Sequence, residues 1–316
     1  ILMKTLAKLK KIKGDASFRE FYRNKVNKSI VVISKREKLK NLLIYDAINK
    51  ILIKNKILAP NLLSENYINN YIEINDFGDQ TLFQILKNKK NKKYVIFKKI
   101  IKILNKIQLI KNRDIKNFKN KKYIIPNYDK AILIKEANLF SDWYAKKKLP
   151  KDKVDNFVKK FRKIVKDLTS NLKLKNNVFV HRDFHVSNLM LVKNQIGIID
   201  SQDALIGNKA YDLASLVDDV RFKTSKQFKN KIYKFYINKQ IKSDKIKFKN
   251  DFEILSILRN LKIIGIFTRL AIRDGKKKYL KLIPYAWSLI NLRINNDKIF
   301  FYLRELLNQN FKGKIK

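Results

Sequence analysis

The sequence contains no cysteine among its 316 residues, so disulfides, thiolate metal sites and cysteine nucleophiles are all excluded. Glycine and proline are scarce, at 7 and 4 residues, and no Ser/Gly/Pro-rich linker interrupts the chain. No window of about 20 uninterrupted apolar residues occurs, so no transmembrane helix is expected. The opening ILMKTLAKLKKIKG is too short and too often interrupted by lysine to form a signal-peptide core. These absences favour a cytoplasmic protein.

Acidic residues are also few, since 27 Asp and Glu stand against 73 Lys and Arg and the formal net charge is +46. Such a field attracts nucleic acid, anionic lipid or phosphorylated metabolites. The excess, however, is mostly lysine spread along the whole chain with Ile and Asn, as AT-rich coding sequence produces. No arginine-rich tail or aromatic-interleaved basic patch accompanies it. We therefore expect no nucleic-acid partner, and the charge alone predicts no function.

Apolar residues are plentiful enough to build a large core. They make up 45% of the chain and include 20 Phe and 14 Tyr, which excludes a wholly disordered protein. At a prior of roughly 150 residues per domain, the length suggests about two domains or one two-lobed enzyme.

The N-terminal region has the pattern of strands followed by a helix. Aromatic and β-branched residues at 16–24 and 29–34 predict two strands around a polar turn. Leu and Ile at helical spacing predict an amphipathic helix over 36–54. A further strand is predicted at 69–75, leading through the turn DFGD into a short helix at 81–86.

The rest of the chain is mostly helical in pattern. Apolar residues at helical spacing predict helices over 94–110, 130–147, 154–172, 225–239, 252–273 and 297–309. The exception lies at 178–199, where short apolar runs separated by polar turns predict a loop and a small hairpin. A small sheet-rich region thus precedes a larger helical one.

The motif HRDFHVSNLM, at 181–190, carries the strongest chemical signal, and an apolar run ending in aspartate at position 200 follows it. This order matches H-R-D-x-x-x-x-N and a metal-binding aspartate, the arrangement used for phosphoryl transfer. Asp183 is predicted to orient the acceptor hydroxyl and take its proton. Asn188 and Asp200 are predicted to hold Mg²⁺, since hard cations take oxygen ligands. The sequence therefore predicts ATP and Mg²⁺ as cofactors.

A lone HRD means little in a chain of this size, because Asp and Asn are also common turn residues. Here both of the 2 histidines fall inside the motif, the spacing from Asp183 to Asn188 is right, and an apolar strand delivers Asp200. The catalytic interpretation is therefore preferred. His181 and Arg182 are expected to support the loop, whereas His185 fits substrate contact and a structural role equally well.

Together HRDFHVSNLM, GIIDSQDALIG and YDLASLVDD resemble the aminoglycoside/choline kinase phosphotransferase family. The segments GDASFREFYR, NDFGDQTL, IPNYDKAILIKEANLFSDWY and FTRLAIRDGKKKYLKLIP resemble its branch of anomeric N-acetylmuramate/N-acetylglucosamine kinases of cell-wall sugar recycling. The resemblance implies an α+β, protein-kinase-like two-lobed fold. Residues 1–76 would form a nucleotide-binding N-lobe with a small mixed β-sheet, and residues 77–316 a larger, mainly helical C-lobe.

The resemblance also implies nucleotide contacts. The turn GDASFREFYR would lie over the ATP phosphates, and its candidates are Ser17, Phe18 and Arg19. The stretch 69–76 would be the hinge beside adenine, with Glu73 and Asn75 as polar candidates; the family more often has Glu where Asn75 stands. Lys35 is the nearest candidate for the third-strand lysine of kinases, with Glu37 or Asp46 as its helix partner. That role stays open.

The implied reaction transfers the γ-phosphoryl group of ATP to a sugar hydroxyl, in particular the anomeric hydroxyl of N-acetylmuramate or N-acetylglucosamine, by a monomeric enzyme. The candidates for acceptor binding are Asp129, Glu136, Trp143, His185, Asp203 and Arg273. One alternative is a choline- or aminoglycoside-type kinase with another acceptor, for which an acidic or aromatic cage would be expected. The other is a non-catalytic protein of this fold that binds polyanions such as RNA.

Overall fold

The computed structural model describes residues 9–12, 19–88, 92–240 and 244–315. The chain packs into two compact units, one made of Ile1–Pro126 and Val178–Ile206 and the other of Asn127–Asn177 and Gly207–Lys316. Among the helices of the described ranges, none is both long enough and apolar enough to cross a bilayer.

Helices and strands follow one another along the chain in a fixed order. The elements are β1 Lys10–Ile12, β2 Glu20–Asn24, β3 Ser29–Ile33, α1 Lys40–Lys54, β4 Leu62–Asn66, β5 Tyr71–Asn75, α2 Leu82–Asn88, α3 Lys93–Gln108, β6 Asp114–Lys116, β7 Lys122–Ile124, α4 Lys130–Ala137, α5 Lys151–Ser170, β8 Asn176–Val180, β9 Leu189–Val192, β10 Gln195–Ile198, β11 Leu205–Asn208, α6 Ala210–Val217, α7 Lys226–Ile237, α8 Lys245–Arg273, α9 Ile283–Ile294 and α10 Phe301–Asn310.

A five-stranded sheet in the order β1-β2-β3-β5-β4 forms the base of the first unit. All four pairings are antiparallel, so the predicted mixed sheet is wrong in this detail. Tight turns explain the antiparallel pairing of β2 with β3 and of β4 with β5, because a short connection can join only antiparallel neighbours. Between β2 and β3, the Asn24 side chain accepts hydrogen bonds from the backbone nitrogens of Val26 and Asn27 at 3.1 and 3.2 Å, and Lys28 has a φ of 51°.

Helix α1 covers one face of this sheet. Ile30 and Val32 alternate along β3, Ile72 and Ile74 alternate along β5, and all four pack with Leu42 and Tyr45 of the helix. The period of two along the strands and the spacing of three along the helix place these side chains on facing surfaces. Full burial of an aliphatic side chain of this size contributes about 1.5–3 kcal/mol.

The hairpin of β9 and β10 belongs to the first unit because several of its backbone groups bond there. Leu191 donates to the Gln80 carbonyl at 2.9 Å, and Ile198 donates to the Leu58 carbonyl at 2.8 Å. At Gly197 a Cβ atom would stand 2.7 Å from the Phe77 ring, so the close approach requires glycine. The compact units are defined by contacts within the chain and are not the two predicted lobes. The predicted lobe boundary after residue 76 therefore stays a prediction.

The second unit is built around α8, a helix of 29 residues. The predicted helix 130–147 is interrupted: α4 ends at Ala137, and Phe140–Ala145 forms a π-helical segment. At Gly265 of α8, a Cβ atom would stand 2.3 Å from the Leu139 carbonyl oxygen. The buried Phe140 ring beside this contact lies within 6.3 Å of five other aromatic rings, those of Tyr144, Phe157, Phe161, Trp287 and Phe311.

The sequence pattern predicted most helices and missed the shortest strands. Helix α8 begins earlier than predicted because the Asp244 side chain caps it by accepting from the Ile246 and Lys247 nitrogens, both at 3.0 Å. Helix α9 was not predicted, although Pro284 at its start favours a helix N-terminus. Strands β1, β4, β6, β7 and β11 also escaped prediction, because runs of three to five residues carry too little periodicity.

A fully buried charge cluster supports the second unit. Arg293 donates to both Asp218 carboxylate oxygens at 3.0 and 3.2 Å, and Ser256 donates at 2.6 Å. The Lys229 ammonium lies 3.4 Å from the same carboxylate. Burial alone would raise the pKa of Asp218, but the two cations and the hydrogen bonds hold it below its ordinary value.

The variant Gly265→Ala is expected to destabilise the protein. Alanine favours a helix over glycine by about 1 kcal/mol, but the clash with the Leu139 backbone outweighs this gain because backbone atoms yield little. We expect a net loss of about 1–3 kcal/mol in the free energy of unfolding, measured by urea titration. The control Ile272→Ala changes an exposed residue of the same helix. Equal or greater stability of Gly265→Ala would contradict the packing described.

The variant Asp218→Asn is expected to lower the free energy of unfolding by roughly 3–5 kcal/mol, because it leaves two buried cations without their counter-ion. The lowered pKa means that the carboxylate stabilises the fold fully above its ordinary value of 3.8, and that this contribution is lost as pH falls towards the folded-state pKa. Unfolding at neutral and acidic pH should therefore show a smaller acid-dependent loss in the variant. A variant as stable as the parent at neutral pH would refute this account.

Candidate active site

The HRD loop begins where β8 ends, and its side chains bond to backbone carbonyls of the segment that follows β10. His181 is completely buried, and its Nε2 atom lies 3.1 Å from the Ile199 carbonyl oxygen. The next residue, Arg182, has a φ of 74°, and its guanidinium donates to the Asp203 carbonyl at 3.1 Å. His181 and Arg182 thus support the loop, as the sequence predicted.

Asp183 and Asn188 are held together by the loop's own hydrogen bonds. The Asn188 side-chain nitrogen donates to the Asp183 carbonyl at 3.0 Å. The His185 backbone nitrogen donates to the same carbonyl at 3.0 Å, and the Asn188 backbone nitrogen donates to the His185 carbonyl at 2.9 Å. The Nδ2 atom of Asn188 is used in this bond. Among the described residues, the Oδ1 atom of the same amide remains available as an acceptor.

Asp200 stands shortly after the hairpin of β9 and β10. The Ile199 nitrogen donates to the Asn188 carbonyl at 3.0 Å, which brings the backbone next to Asp200 alongside Asn188. Asp200 has a φ of 62°, a left-handed conformation that non-glycine residues adopt only where the surroundings enforce it. Its side chain is 42% exposed. The fold therefore places both predicted metal ligands at adjoining positions.

Asp200 forms an ion pair with Arg19, which lies just before β2. The Arg19 Nη2 atom is 2.8 Å from Asp200 Oδ1, although 181 positions separate the residues. Arg19 is only 5% exposed, and its guanidinium carbon lies 5.4 Å from the Tyr45 ring and 5.7 Å from the Phe21 ring. A desolvated guanidinium gains from both the carboxylate and the ring faces.

Two further polar side chains fix the Asp200 segment. Gln202 donates to Asp200 Oδ1 at 3.1 Å and to Asp203 Oδ2 at 2.9 Å. The Ser201 hydroxyl donates to Asn49 Oδ1 of α1 at 2.7 Å. Burial raises the pKa of the adjacent Tyr45 to about 12, an effect that Arg19 opposes and Asp200 reinforces. The phenol therefore stays protonated at neutral pH.

The donor set fits a magnesium ion. Arg19 and Gln202 both donate to Oδ1 of Asp200, which leaves Oδ2 as the carboxylate oxygen without a hydrogen bond among the described residues. Oδ1 of Asn188 is the second available oxygen. Mg²⁺ is commonly held by one or two such protein groups, with phosphates and waters completing its shell. Asn188 and Asp200 are thus the residues that would hold it.

The nucleotide candidates have different surroundings. Ser17 and Phe18 lie outside the described residues. Lys35 is exposed just past β3, and the ion pair of Asp46 in the described structure goes to Lys50 at 2.8 Å. The fold thus does not bring Lys35 to Asp46. Glu37 is exposed near Lys35.

The hinge candidates bond to neighbouring strands. Glu73 accepts from Ser29 of β3 and, at 3.2 Å, from Ser64 of β4. Asn75 Oδ1 accepts from the Asn61 nitrogen at 3.1 Å. Asn75 also lines an open cavity of about 630 Å³. Both side chains therefore help to hold the sheet, and their contact with nucleotide remains a prediction.

The six acceptor candidates fall into two groups. His185 is buried in the HRD loop, and Asp203 is exposed beyond Asp200, so both lie in the first unit on the segments that carry Asp183 and Asp200. The other four are in the second unit, as Asp129, Glu136, Trp143 and Arg273.

Three of the second-unit candidates have partners in the described structure, and their contact with the acceptor stays a prediction. Asp129 caps α4 by accepting from the Ile132 nitrogen at 2.8 Å. Glu136 accepts from the Tyr128 hydroxyl and pairs with Lys262 at 2.9 Å. Arg273 pairs with Asp274 at the exposed end of α8. Trp143 is half-buried on the π-helical segment.

Sequence reasoning missed Tyr45, Asn49, Ser201 and Gln202. A signal was present for Asn49, which is a polar residue in the apolar stripe of a predicted helix and is only 3% exposed. Such a residue requires a buried partner. The identity of that partner, Ser201, was not readable from the pattern.

Known proteins with similar sequences are sugar kinases by name. An N-acetylmuramate/N-acetylglucosamine kinase of Pseudomonas aeruginosa is 26% identical over 302 residues, which cover 93% of this chain and 86% of that protein. A kinase of the same name from Neisseria meningitidis serogroup B is 36% identical over 166 residues, covering 51% of this chain and 50% of that protein.

Similar solved structures show the fold. An ADP-bound aminoglycoside phosphotransferase aligns with a TM-score of 0.59 at 18% identity, covering 95% of this chain and 97% of that chain. A choline/ethanolamine kinase family protein from Mesorhizobium loti aligns with a TM-score of 0.62 at 11% identity, covering 94% and 92%. The predicted α+β, protein-kinase-like fold is confirmed. A sequence model described as the phosphotransferase enzyme family matches residues 8–239, and because this match spans more than half of the chain, the protein belongs to that family.

Proposed function

We propose that this protein is an ATP- and Mg²⁺-dependent kinase that phosphorylates the anomeric hydroxyl of N-acetylmuramate or N-acetylglucosamine. The observation that carries the proposal is the set of hydrogen bonds that links Asp183, Asn188 and the backbone next to Asp200 and leaves Oδ1 of Asn188 and Oδ2 of Asp200 available for a cation. The names of the similar kinases support the choice of acceptor. The proposal includes a cytoplasmic location and a monomeric state.

In phosphoryl transfer, one group of residues supplies the general base and another supplies the metal ligands. Asp183 orients the acceptor hydroxyl and accepts its proton as the oxygen bonds to the γ-phosphorus of ATP, while the bond from that phosphorus to the bridging oxygen breaks and ADP leaves. Asn188 Oδ1 and Asp200 Oδ2 would hold Mg²⁺, which when bound would neutralise charge on the phosphate oxygens. Arg19, desolvated beside Asp200, is placed to add positive charge at the same position. Positioning and charge neutralisation thus supply most of the catalysis.

The acceptor test uses phosphorus NMR of the full chain with ATP, Mg²⁺ and separate samples of N-acetylmuramate, N-acetylglucosamine, plain hexoses, choline and an aminoglycoside. We expect a sugar 1-phosphate signal with one or both N-acetyl sugars. Asp183→Ala removes the base and should lower the rate by about 10²–10⁴-fold. The matched control is Asp114→Asn, which changes an exposed carboxylate paired with Lys122 and should keep the parental rate.

The other outcomes distinguish the alternatives. Phosphorylation of choline or the aminoglycoside alone would retain the kinase and replace its acceptor. A steeply salt-dependent affinity for RNA, without nucleotide turnover, would support a polyanion-binding protein instead. Full activity of the Asp183→Ala variant would contradict the assignment of Asp183 as the general base.

Arg273 offers a test of how the two N-acetyl sugars are told apart. Its side chain is 57% exposed beside Asp274, and its guanidinium suits a carboxylate. Muramate carries a lactyl carboxylate that glucosamine lacks. Arg273→Ala is therefore expected to raise KM for N-acetylmuramate by about tenfold, in line with the loss of one charge-assisted hydrogen bond, and to leave KM for N-acetylglucosamine unchanged. Steady-state kinetics with both sugars decides this, and equal effects on both would exclude carboxylate recognition.

A further inference from the structure

The central strand β3 carries no cation. Protein kinases use a lysine on the corresponding strand, paired with a helix carboxylate, to order the phosphate site. Here β3 reads SIVVI, its Ser29 bonds to Glu73, and Lys35 lies beyond the strand in an exposed position. Asp46 is the one carboxylate of α1, and it forms an ion pair with Lys50. The site must therefore be ordered by other side chains.

One face of α1 supplies two such side chains. Tyr45 and Asn49 are four residues apart and so point to the same side of the helix. Both are buried, at 3% exposure each, on the side that meets the Asp200 segment. The Tyr45 ring lies 5.4 Å from the Arg19 guanidinium carbon, and Asn49 accepts from Ser201 at 2.7 Å.

The contact made by Asn49 acts on the residue next to Asp200. Ser201 is completely buried, and its hydroxyl bonds directly to the Asn49 side chain. Asp200, one residue earlier, has the left-handed φ of 62°, which needs support from its surroundings. Fixing Ser201 fixes the backbone from which the Asp200 carboxylate projects.

The contact made by Tyr45 acts on the partner of Asp200. Arg19 donates to Oδ1 of that carboxylate, so the direction of the guanidinium affects which oxygen remains available. Tyr45 lines one side of Arg19, and Phe21 of β2 lies close by at 5.7 Å. Helix α1 therefore contacts both the segment that carries Asp200 and the cation that binds it.

We propose that Asn49 is a positioning residue for the metal site, acting through Ser201 to orient Asp200, and that the Tyr45–Asn49 face of α1 replaces the lysine–carboxylate pair of protein kinases. This inference rests on the proposed function, since it assumes that Asp200 holds the cation. Outer partners that orient metal ligands commonly change metal affinity by about 10–100-fold when they are removed.

The test measures binding of Mn²⁺ by electron paramagnetic resonance, with the full chain and a non-hydrolysable ATP analogue. Asn49→Ala and Ser201→Ala are expected to raise the half-saturating Mn²⁺ concentration by about 10–100-fold. The matched control is Asn55→Ala at the C-cap that follows the same helix, where the side chain donates to the Ile51 carbonyl at 2.8 Å. It should leave Mn²⁺ binding unchanged.

The double variant Asn49→Leu with Ser201→Ala separates positioning from folding. Replacing both partners of a buried hydrogen bond by apolar groups can be nearly neutral for stability, so its Tm should stay near the parental value while Mn²⁺ binding weakens. Parental Mn²⁺ affinity in the double variant would overturn the inference and leave the proposed function intact. A parent protein that binds no Mn²⁺ with the analogue would overturn both.

Discussion

A buried arginine needs a counter-ion, and the Arg19–Asp200 ion pair meets this need at the point where the N-terminal sheet and the segment after the β9–β10 hairpin come together. The pair leaves one oxygen of the aspartate available. Asn188, joined to the same segment through the Ile199 nitrogen, presents its own oxygen nearby. The chemistry assigned to the first unit depends on this arrangement. If both carboxylate oxygens of Asp200 bonded to the arginine, neither would remain available to bind a cation.

Charged side chains have different surroundings at the surface and in the interior. The net charge of +46 comes largely from lysines distributed along the chain, where water screens them. Three buried cations contact carboxylates: Arg19 pairs with Asp200, while Arg293 and Lys229 share Asp218. The overall composition does not reveal these buried ion pairs, and the charge excess itself carries little information about function.

Much of the fold could be predicted from the sequence because helical spacing is a local property. The positions of α1, α3, α5 and α7 follow from Leu, Ile and Phe repeats. The π-helical segment at Phe140–Ala145 could not be predicted, since it accompanies the close approach of Gly265 to Leu139, which comes from a distant part of the chain. The antiparallel order of the sheet likewise depends on which strands meet.

The candidate site shows the same division. Within one short segment, the sequence by itself determined the spacing of Asp183 and Asn188 and the strand that ends before Asp200, because bonding within a loop and hairpin depends on near neighbours. Only the tertiary structure decided that Arg19, 181 positions away, pairs with Asp200 and that Asn49, 152 positions away, accepts from Ser201. Such contacts arise from the packing of β2 and α1 against the hairpin segment, and no periodicity along the chain encodes which distant polar groups that packing brings within hydrogen-bond distance.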